Sequence, residues 1–186
     1  MQVEQNLVHR AQQGDREAFA QLYESHFDKI YRYVVLRIGN KTEAEDMTQQ
    51  VFLNALQSIR SFKWKGIPFS AWLFRIAHNL VVDYLRKARK VVTAPLYDSL
   101  ASSGGNPQLV AEHRLDIEQL ISATKGLTRA QREVIGLRFA GELAVAEVAK
   151  VIGKSEGAIK ALQHSAIVAL RKALLRAEDN EKDQGI

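Results

Sequence analysis

The stretch that decides the fold runs from residue 144 to residue 166, AVAEVAKVIGKSEGAIKALQHSA. Ala149 precedes Gly153 by four positions, and Ile159 and Leu162 follow that glycine by six and nine. Two helices joined by a tight turn need this spacing: a small residue where they approach, a glycine for backbone angles that side chains disfavour, and two apolar residues pinning the second helix on the first. The pattern predicts a helix-turn-helix. Ser155 is a suitable cap for the second helix, which turns Glu156, Lys160, Gln163 and His164 away from the core. With Lys154 and Ser155 at the approach, these are the candidate base and phosphate contacts of a helix lying in a DNA groove.

The same helix continues through Ala161, Ser165, Ala166, Ile167, Val168 and Ala169, and so carries little positive charge. Phosphate contacts supply most of the affinity for DNA, so this helix holds a duplex weakly alone and calls for a second DNA-contacting surface. A plain helical hairpin in an interaction module would share the spacing. Just upstream, Thr128-Arg129-Ala130-Gln131 has the form of a capping box. The helix it opens is expected to end near Gly141, with Val134, Ile135, Leu137 and Phe139 buried.

Further upstream the periodicity fails. Residues 91–107, VVTAPLYDSLASSGGNP, are rich in Ser, Gly and Pro and read as a linker. Asn106 and Pro107 then read as the cap and first turn of a helix through Leu109, Leu115 and Leu120. The organisation expected is a first domain over 1–90, a flexible linker over 91–107 and a second domain over 108–186 that ends in a short polar tail.

The first domain also reads as helical. Apolar residues recur three and four apart at Phe19, Leu22, Tyr23, Phe27, Ile30, Tyr31, Val34 and Ile38, which predicts a helix over about 15–37. Thr42-Glu43-Ala44-Glu45 has capping-box form and predicts a helix to about Ser58. Its apolar side is Ala44, Met47, Val51, Ala55, Leu56 and Ile59, with Asp46, Gln49, Gln50 and Asn54 opposite. A third helix from about Ser70 turns Trp72, Leu73, Ile76, Ala77, Leu80, Val81, Tyr84 and Leu85 inward and leaves Arg75, Asn79, Asp83, Arg86, Lys87 and Lys90 outward. The whole is an all-α chain of two helical domains.

Composition bounds the chemistry. The 186 residues are 46% hydrophobic and 25% charged, enough apolar material for one medium domain or two small ones. Net charge +5 and a pI near 9.5 favour polyanionic partners. The absence of cysteine excludes disulfides, thiolate metal sites and a cysteine nucleophile. His9, His26, His78, His113 and His164 are scattered, and no paired-carboxylate pocket, phosphate-cradling loop or metal-ligand spacing is apparent. The expectation is a non-enzyme without cofactor or metal. No uncharged apolar run reaches the roughly 18 residues of a membrane span, and the N-terminus lacks a signal-peptide pattern, so a cytoplasmic protein without membrane insertion is expected.

Two segments carry a family resemblance: AEDMTQQVFLNAL over 44–56 and FSAWLFRIAHNLVVDYLRK over 69–87, joined by a loop containing Phe62, Trp64 and Pro68. In that order, and followed by a helix-turn-helix, they resemble regions 2 and 4 of the extracytoplasmic function sigma factors, with a match over roughly 19–174. The resemblance implies a subunit that directs bacterial core RNA polymerase to promoters and assists DNA opening. It implies that Glu45, Asp46, Gln49 and Gln50, completed by Phe52 and Leu53, bind core polymerase. It further implies that the segment from Phe62 to Arg89 reads the minus-10 element, with Phe62, Lys63, Trp64 and Lys65 offering aromatic and cationic groups to unpaired bases and phosphates. Asn79 matches a family position near the flipped base, and Arg75, Arg86, Lys87 and Arg89 suit the backbone, with Asp83 orienting Arg86 or Lys87. Region 4 implies minus-35 reading by Lys154, Ser155, Glu156, Lys160, Gln163 and His164, although the family often has arginine where this chain has Leu162 and Ser165. Promoter DNA and an anti-sigma factor are the further partners implied.

Two other readings share parts of the pattern. A helix-turn-helix regulator that binds duplex operators without polymerase would show two-fold half-sites. An all-α enzyme or binding protein would need a polar pocket. The aromatic and basic loop over 62–69 beside the Asp46, Gln49 and Gln50 face favours the sigma reading over both.

Overall fold

The computed structural model describes residues 2–64, 66–91 and 121–183. The helix expected through Leu109, Leu115 and Leu120, and the linker beyond Val91, lie outside these residues. Among the described residues every regular element is helical. The first unit comprises α1 (Gln2–Gln12), α2 (Arg16–Ile38), α3 (Lys41–Ser58), a 3₁₀ turn (Ile59–Ser61) and α4 (Phe69–Val91). The second comprises α5 (Arg129–Ile135), a π-helical turn (Gly136–Ala140), α6 (Val145–Ile152) and α7 (Glu156–Asp183).

Helix α1 has no counterpart in the sequence reading, because only Leu7, Val8 and Ala11 of its residues reach the core. Polar contacts dock it instead. His26 Nε2 lies 3.0 Å from Glu4 Oε1, and Gln12 Nε2 donates to the carbonyls of Ile59 and Phe62 at 3.0 and 2.8 Å. Asp15 caps α2 by accepting the Ala18 amide at 3.1 Å, and Gly39, at φ 76°, ends it in the left-handed region.

The expected capping box at Thr42 is corrected. Asn40 caps α3, its side chain accepting the Glu43 amide at 3.1 Å, and Thr42 sits in the first turn. Gly39 stops α2 and leaves one extended residue before the chain re-enters a helix, so the cap falls two positions earlier. Ala44, Val51, Ala55 and Ile59 are buried as expected, but Leu56 is 50% exposed. The inward stripe of α4 is present, with Leu73, Ala77 and Val81 fully buried.

In the second unit Thr128 and Gln131 form the reciprocal capping box. Phe139, expected inside, is 57% exposed. The helix widens after Ile135, and Gly141 N–H bonds the Gly136 carbonyl at 2.9 Å. That wider turn shifts the register and carries Phe139 outward while Leu137 stays buried. Gly153 takes the turn at φ 68°, the Ser155 hydroxyl accepts the Ala158 amide at 3.2 Å, and Ile159 is fully buried, completing the expected helix-turn-helix.

The two units share one apolar core, in which Val134, Leu137, Leu143, Val148 and Ile159 join residues of α1 to α4. Glycines permit the approach. A Cβ on Gly136 would stand 3.0 Å from the Tyr33 ring, and one on Gly141 would stand 2.9 Å from the Phe74 ring and 2.7 Å from the Leu137 carbonyl oxygen. Beside them lies a partly buried charge cluster. Glu133 Oε1 is 3.1 Å from Arg37 Nη2 and 2.9 Å from His78 Nδ1, and Arg37 Nη1 donates to the Arg129 carbonyl at 2.9 Å. At the rim Lys29 Nζ meets Glu142 Oε2 at 2.6 Å.

Burial raises the Glu133 carboxyl, but the His78 contact and the Arg37 charge outweigh it, so the group ends below its ordinary value of 4.5. A carboxyl held low by the fold contributes stability that is complete above its unfolded value and lost as pH falls from there through the folded value. Glu133→Gln should therefore be less stable than the parent at about pH 7, with the gap constant down to the ordinary carboxyl value of 4.5 and closing only as pH is lowered below it. Denaturant titration of both proteins across that range checks this; a gap independent of pH would contradict it.

Candidate nucleic-acid and polymerase interface

Helix α3 sorts the residues proposed for core polymerase into two groups. Asp46, Gln49 and Gln50 are exposed, Glu45 is half-buried, and Leu53 is 52% exposed. Gln50 Nε2 donates to Asn54 Oδ1 at 2.8 Å along the helix. With Leu56, Leu53 forms an apolar patch next to this polar row. Phe52 points the other way: it is buried, with its ring centroid 4.6 Å from that of Tyr23. Its one-position offset from Leu53 places it on the inner side of the helix, so it supports the surface from beneath.

The loop after α3 divides similarly. Phe62 is buried, its centroid 5.1 Å from those of Trp64 and Trp72 and 5.7 Å from that of Phe69. Its ring is therefore packed inside an aromatic cluster rather than offered to a base. Trp64 stands edge-on to it and is 38% exposed, so it presents the open aromatic surface of the loop. Lys63 is exposed, and Lys65 lies outside the described residues. Along α4, Arg75, Asn79, Arg86 and Lys87 are exposed on one side, and Arg86 Nη2 pairs with Asp83 Oδ1 at 2.9 Å as anticipated. Arg89 belongs to the last turns of the same helix.

In the helix-turn-helix, Lys154, Ser155, Glu156, Lys160 and His164 are exposed. Gln163 is half-buried, and its side-chain oxygen accepts from Arg138 Nε at 2.9 Å. Arg138 Nη1 also donates to the Leu143 carbonyl, so Gln163 serves partly to hold α7 against the π turn. Sequence reasoning missed Lys150, whose Nζ donates to the Gly66 carbonyl at 2.8 Å. It also missed the cluster of Arg37, His78 and Glu133. The glycines at 136 and 141, unusual near a helix end that is to be buried, were the available signal for that contact.

Among the described residues no helix is long and apolar enough to cross a membrane. Residues 22–91 match the Sigma-70 region 2 family and residues 124–172 match Sigma-70, region 4. The chain is 42% identical over 171 residues to the ECF RNA polymerase sigma factor BldN of Streptomyces coelicolor, covering 90% of this chain and 64% of that protein, so it spans less than two thirds of that relative's length. It is 32% identical over 182 residues to the ECF RNA polymerase sigma factor SigW of Bacillus subtilis, covering 90% of this chain and 94% of SigW. Among solved structures it is similar to CnrH in complex with the cytosolic domain of CnrY, with a TM-score of 0.68 and 26% identity over 94% of this chain and 98% of that one. The fold is shared as well with RpoE of Bartonella quintana, solved with the anti-sigma factor NepR, at a TM-score of 0.65 and 23% identity over 84% of this chain and 96% of that one. The chain belongs to the extracytoplasmic function family of RNA polymerase sigma factors.

The burial pattern separates neighbours on α3. Phe52→Ala should cost about 3–5 kcal/mol of stability, as for other core phenylalanines, whereas Leu53→Ala should stay within about 0.5 kcal/mol. Denaturant unfolding of the two variants checks this, and similar costs would contradict the assignment of inner and outer sides.

Proposed function

We propose that this sigma factor works through three exposed surfaces, each non-catalytic, in the cytoplasm where RNA polymerase and DNA are found. The first unit, residues 1–90, carries two of them. Asp46, Gln49, Gln50 and Leu53, flanked by Glu45 and backed by Phe52, hold core polymerase. Trp64 and Lys63, with Lys65 of the same loop, engage the minus-10 strand once its bases leave the duplex, and Phe62 braces Trp64 from below. Asn79 stands near the captured base, and Arg75, Arg86, Lys87 and Arg89 follow the phosphates. The second unit, over 108–186, reads the minus-35 duplex through Lys154, Ser155, Glu156, Lys160 and His164, with Gln163 positioning the helix. The segment 91–107 sets how far apart the two promoter elements lie.

The observation that carries this reading is the separation of chemistries on one scaffold. A polar row with an apolar patch lies on α3, an open aromatic and cationic loop lies at the start of α4, and a capped recognition helix lies on the second unit. Unpaired bases held on an aromatic surface are removed from the duplex equilibrium, which shifts the DNA toward the open state without any bond chemistry. CnrH and RpoE were solved with protein partners, and we infer that this chain is likewise restrained by an anti-sigma factor.

The test is to divide the surfaces by mutation. Asp46→Ala combined with Gln50→Ala should weaken binding to purified core polymerase by roughly tenfold with helicity unchanged; lost helicity with binding retained would contradict the role of α3. Lys160→Ala combined with His164→Ala should spare core binding but weaken use of the upstream duplex element by about 1–3 kcal/mol, read as run-off transcription. Unchanged promoter choice would contradict the reading of α7.

A further inference from the structure

Two contacts tie α1 to the loop assigned above to the minus-10 strand, one at each end of it. At the start, Gln12 Nε2 donates to the carbonyls of Ile59 and Phe62 at 3.0 and 2.8 Å. At the end, Glu4 of α1 meets His26 at 3.0 Å, and the His26 ring centroid lies 5.6 Å from that of Phe69, the first residue of α4. Residues 2–12 precede the segment over 22–91 that matches Sigma-70 region 2. We propose that Gln12 is a positioning residue for minus-10 recognition: its amide fixes the backbone of the loop from which Lys63 and Trp64 project, without itself meeting DNA. This inference rests on the sigma reading above.

A glutamine held at the end of a helix loses rotamer freedom, so its bonds must outweigh that entropy. The last carbonyls of a helix have no partner within it, and the 3₁₀ turn over Ile59–Ser61 ends at this point, with the Phe62 N–H on the Ile59 carbonyl at 3.0 Å. One amide therefore grips both the Phe62 carbonyl and the carbonyl that the Phe62 N–H itself uses, which fixes the peptide groups on either side of that residue. The Phe62 ring, packed against Trp64, Phe69 and Trp72, carries the constraint outward to the Trp64 indole. Gln12 is itself held at a rigid corner: Gly14 turns the chain at φ 94°, Arg10 Nε donates to Asp15 Oδ2 at 2.8 Å, and Asp15 caps α2. With that corner fixed, removing the amide donors frees the loop and leaves α1 in place. A loop ordered before it meets its ligand loses less binding energy to ordering, so the effect falls on capture of unpaired bases and not on the polar row of α3 or on α7.

Methionine resembles glutamine in length and helix propensity but has no donor, so Gln12→Met removes the two bonds and keeps the shape. The full-length variant and the parent are each combined with purified core polymerase and compared on two probes made from a promoter selected with the parent chain. One is a fork whose minus-10 element is single-stranded, and the other is a duplex carrying the upstream element alone. Gln12→Met should weaken binding to the fork roughly tenfold, and should change core association and duplex binding by less than about twofold. Gln12→Lys, which supplies donors at similar reach, should return fork binding to within about threefold of the parent. Both tryptophans of the chain pack on Phe62, so in the free chain Gln12→Met should shift their emission to the red and Gln12→Lys should not. That signature is read without DNA, and added charge does not mimic it. Unchanged fork binding or unshifted emission in Gln12→Met would overturn the proposal, and so would equal losses on fork, duplex and core, which mark a general role in folding. A parent chain that neither associates with core nor selects a promoter would instead overturn the sigma reading.

Discussion

Glu133, a half-buried carboxylate between two helical units, held by Arg37 and His78, is the contact on which the arrangement of this molecule depends. Ion pairs withdrawn from water in this way add little stability compared with apolar packing, because both charges lose part of their hydration. Their effect is to penalise every arrangement in which one charge is buried without the other. Here the penalty falls on any shift of α5 along α2 and α4, and the apolar contacts of Gly136 and Gly141 then register on Tyr33 and Phe74. Glycine within a helix is unfavourable by roughly 1 kcal/mol relative to alanine, and at Gly136 the close approach of the units offsets that cost.

From this packing follows the distribution of working surfaces. The faces turned inward are apolar or carry partly buried charge contacts such as that of Arg37, His78 and Glu133, and those left outside are the polar row of α3, the cationic side of α4 and the outer side of α7. Neither surface proposed to face DNA is strongly basic along its whole length: α7 offers Lys160 and His164, and α4 balances Arg86 with Asp83. Weak single contacts suit the proposed mode, in which two elements are read together by a chain tethered to polymerase, since linked binding gains from effective concentration without strong contact at either site.

Much of this was legible in the sequence because it rests on local rules. The Ala149, Gly153, Ile159 and Leu162 spacing, the Thr128 and Gln131 box, and the inward stripe of α4 are each set by residues no more than 13 positions apart. The errors came where one local rule competed with another. Thr42 has the chemistry of a cap, but Gly39 ended the previous helix early enough for Asn40 to take that place. Phe139 follows helical spacing until the π turn inserts its extra residue. Phe52 and Phe62 were given binding roles by the family resemblance, which does not tell whether a ring beside exposed neighbours turns in or out. The contact between units was not legible, since Arg37, His78, Glu133 and Lys150 are far apart in sequence and look like solvated charges until the fold brings them together.

The measurement that tests the central claim most directly is run-off transcription on a library of promoter fragments from the source genome, with purified core polymerase in the presence and absence of the full chain. The account predicts discrete transcripts that appear only when the chain is present, from fragments sharing two short elements at one fixed spacing. Transcription unchanged by the chain, together with no association between the chain and core polymerase, would contradict it.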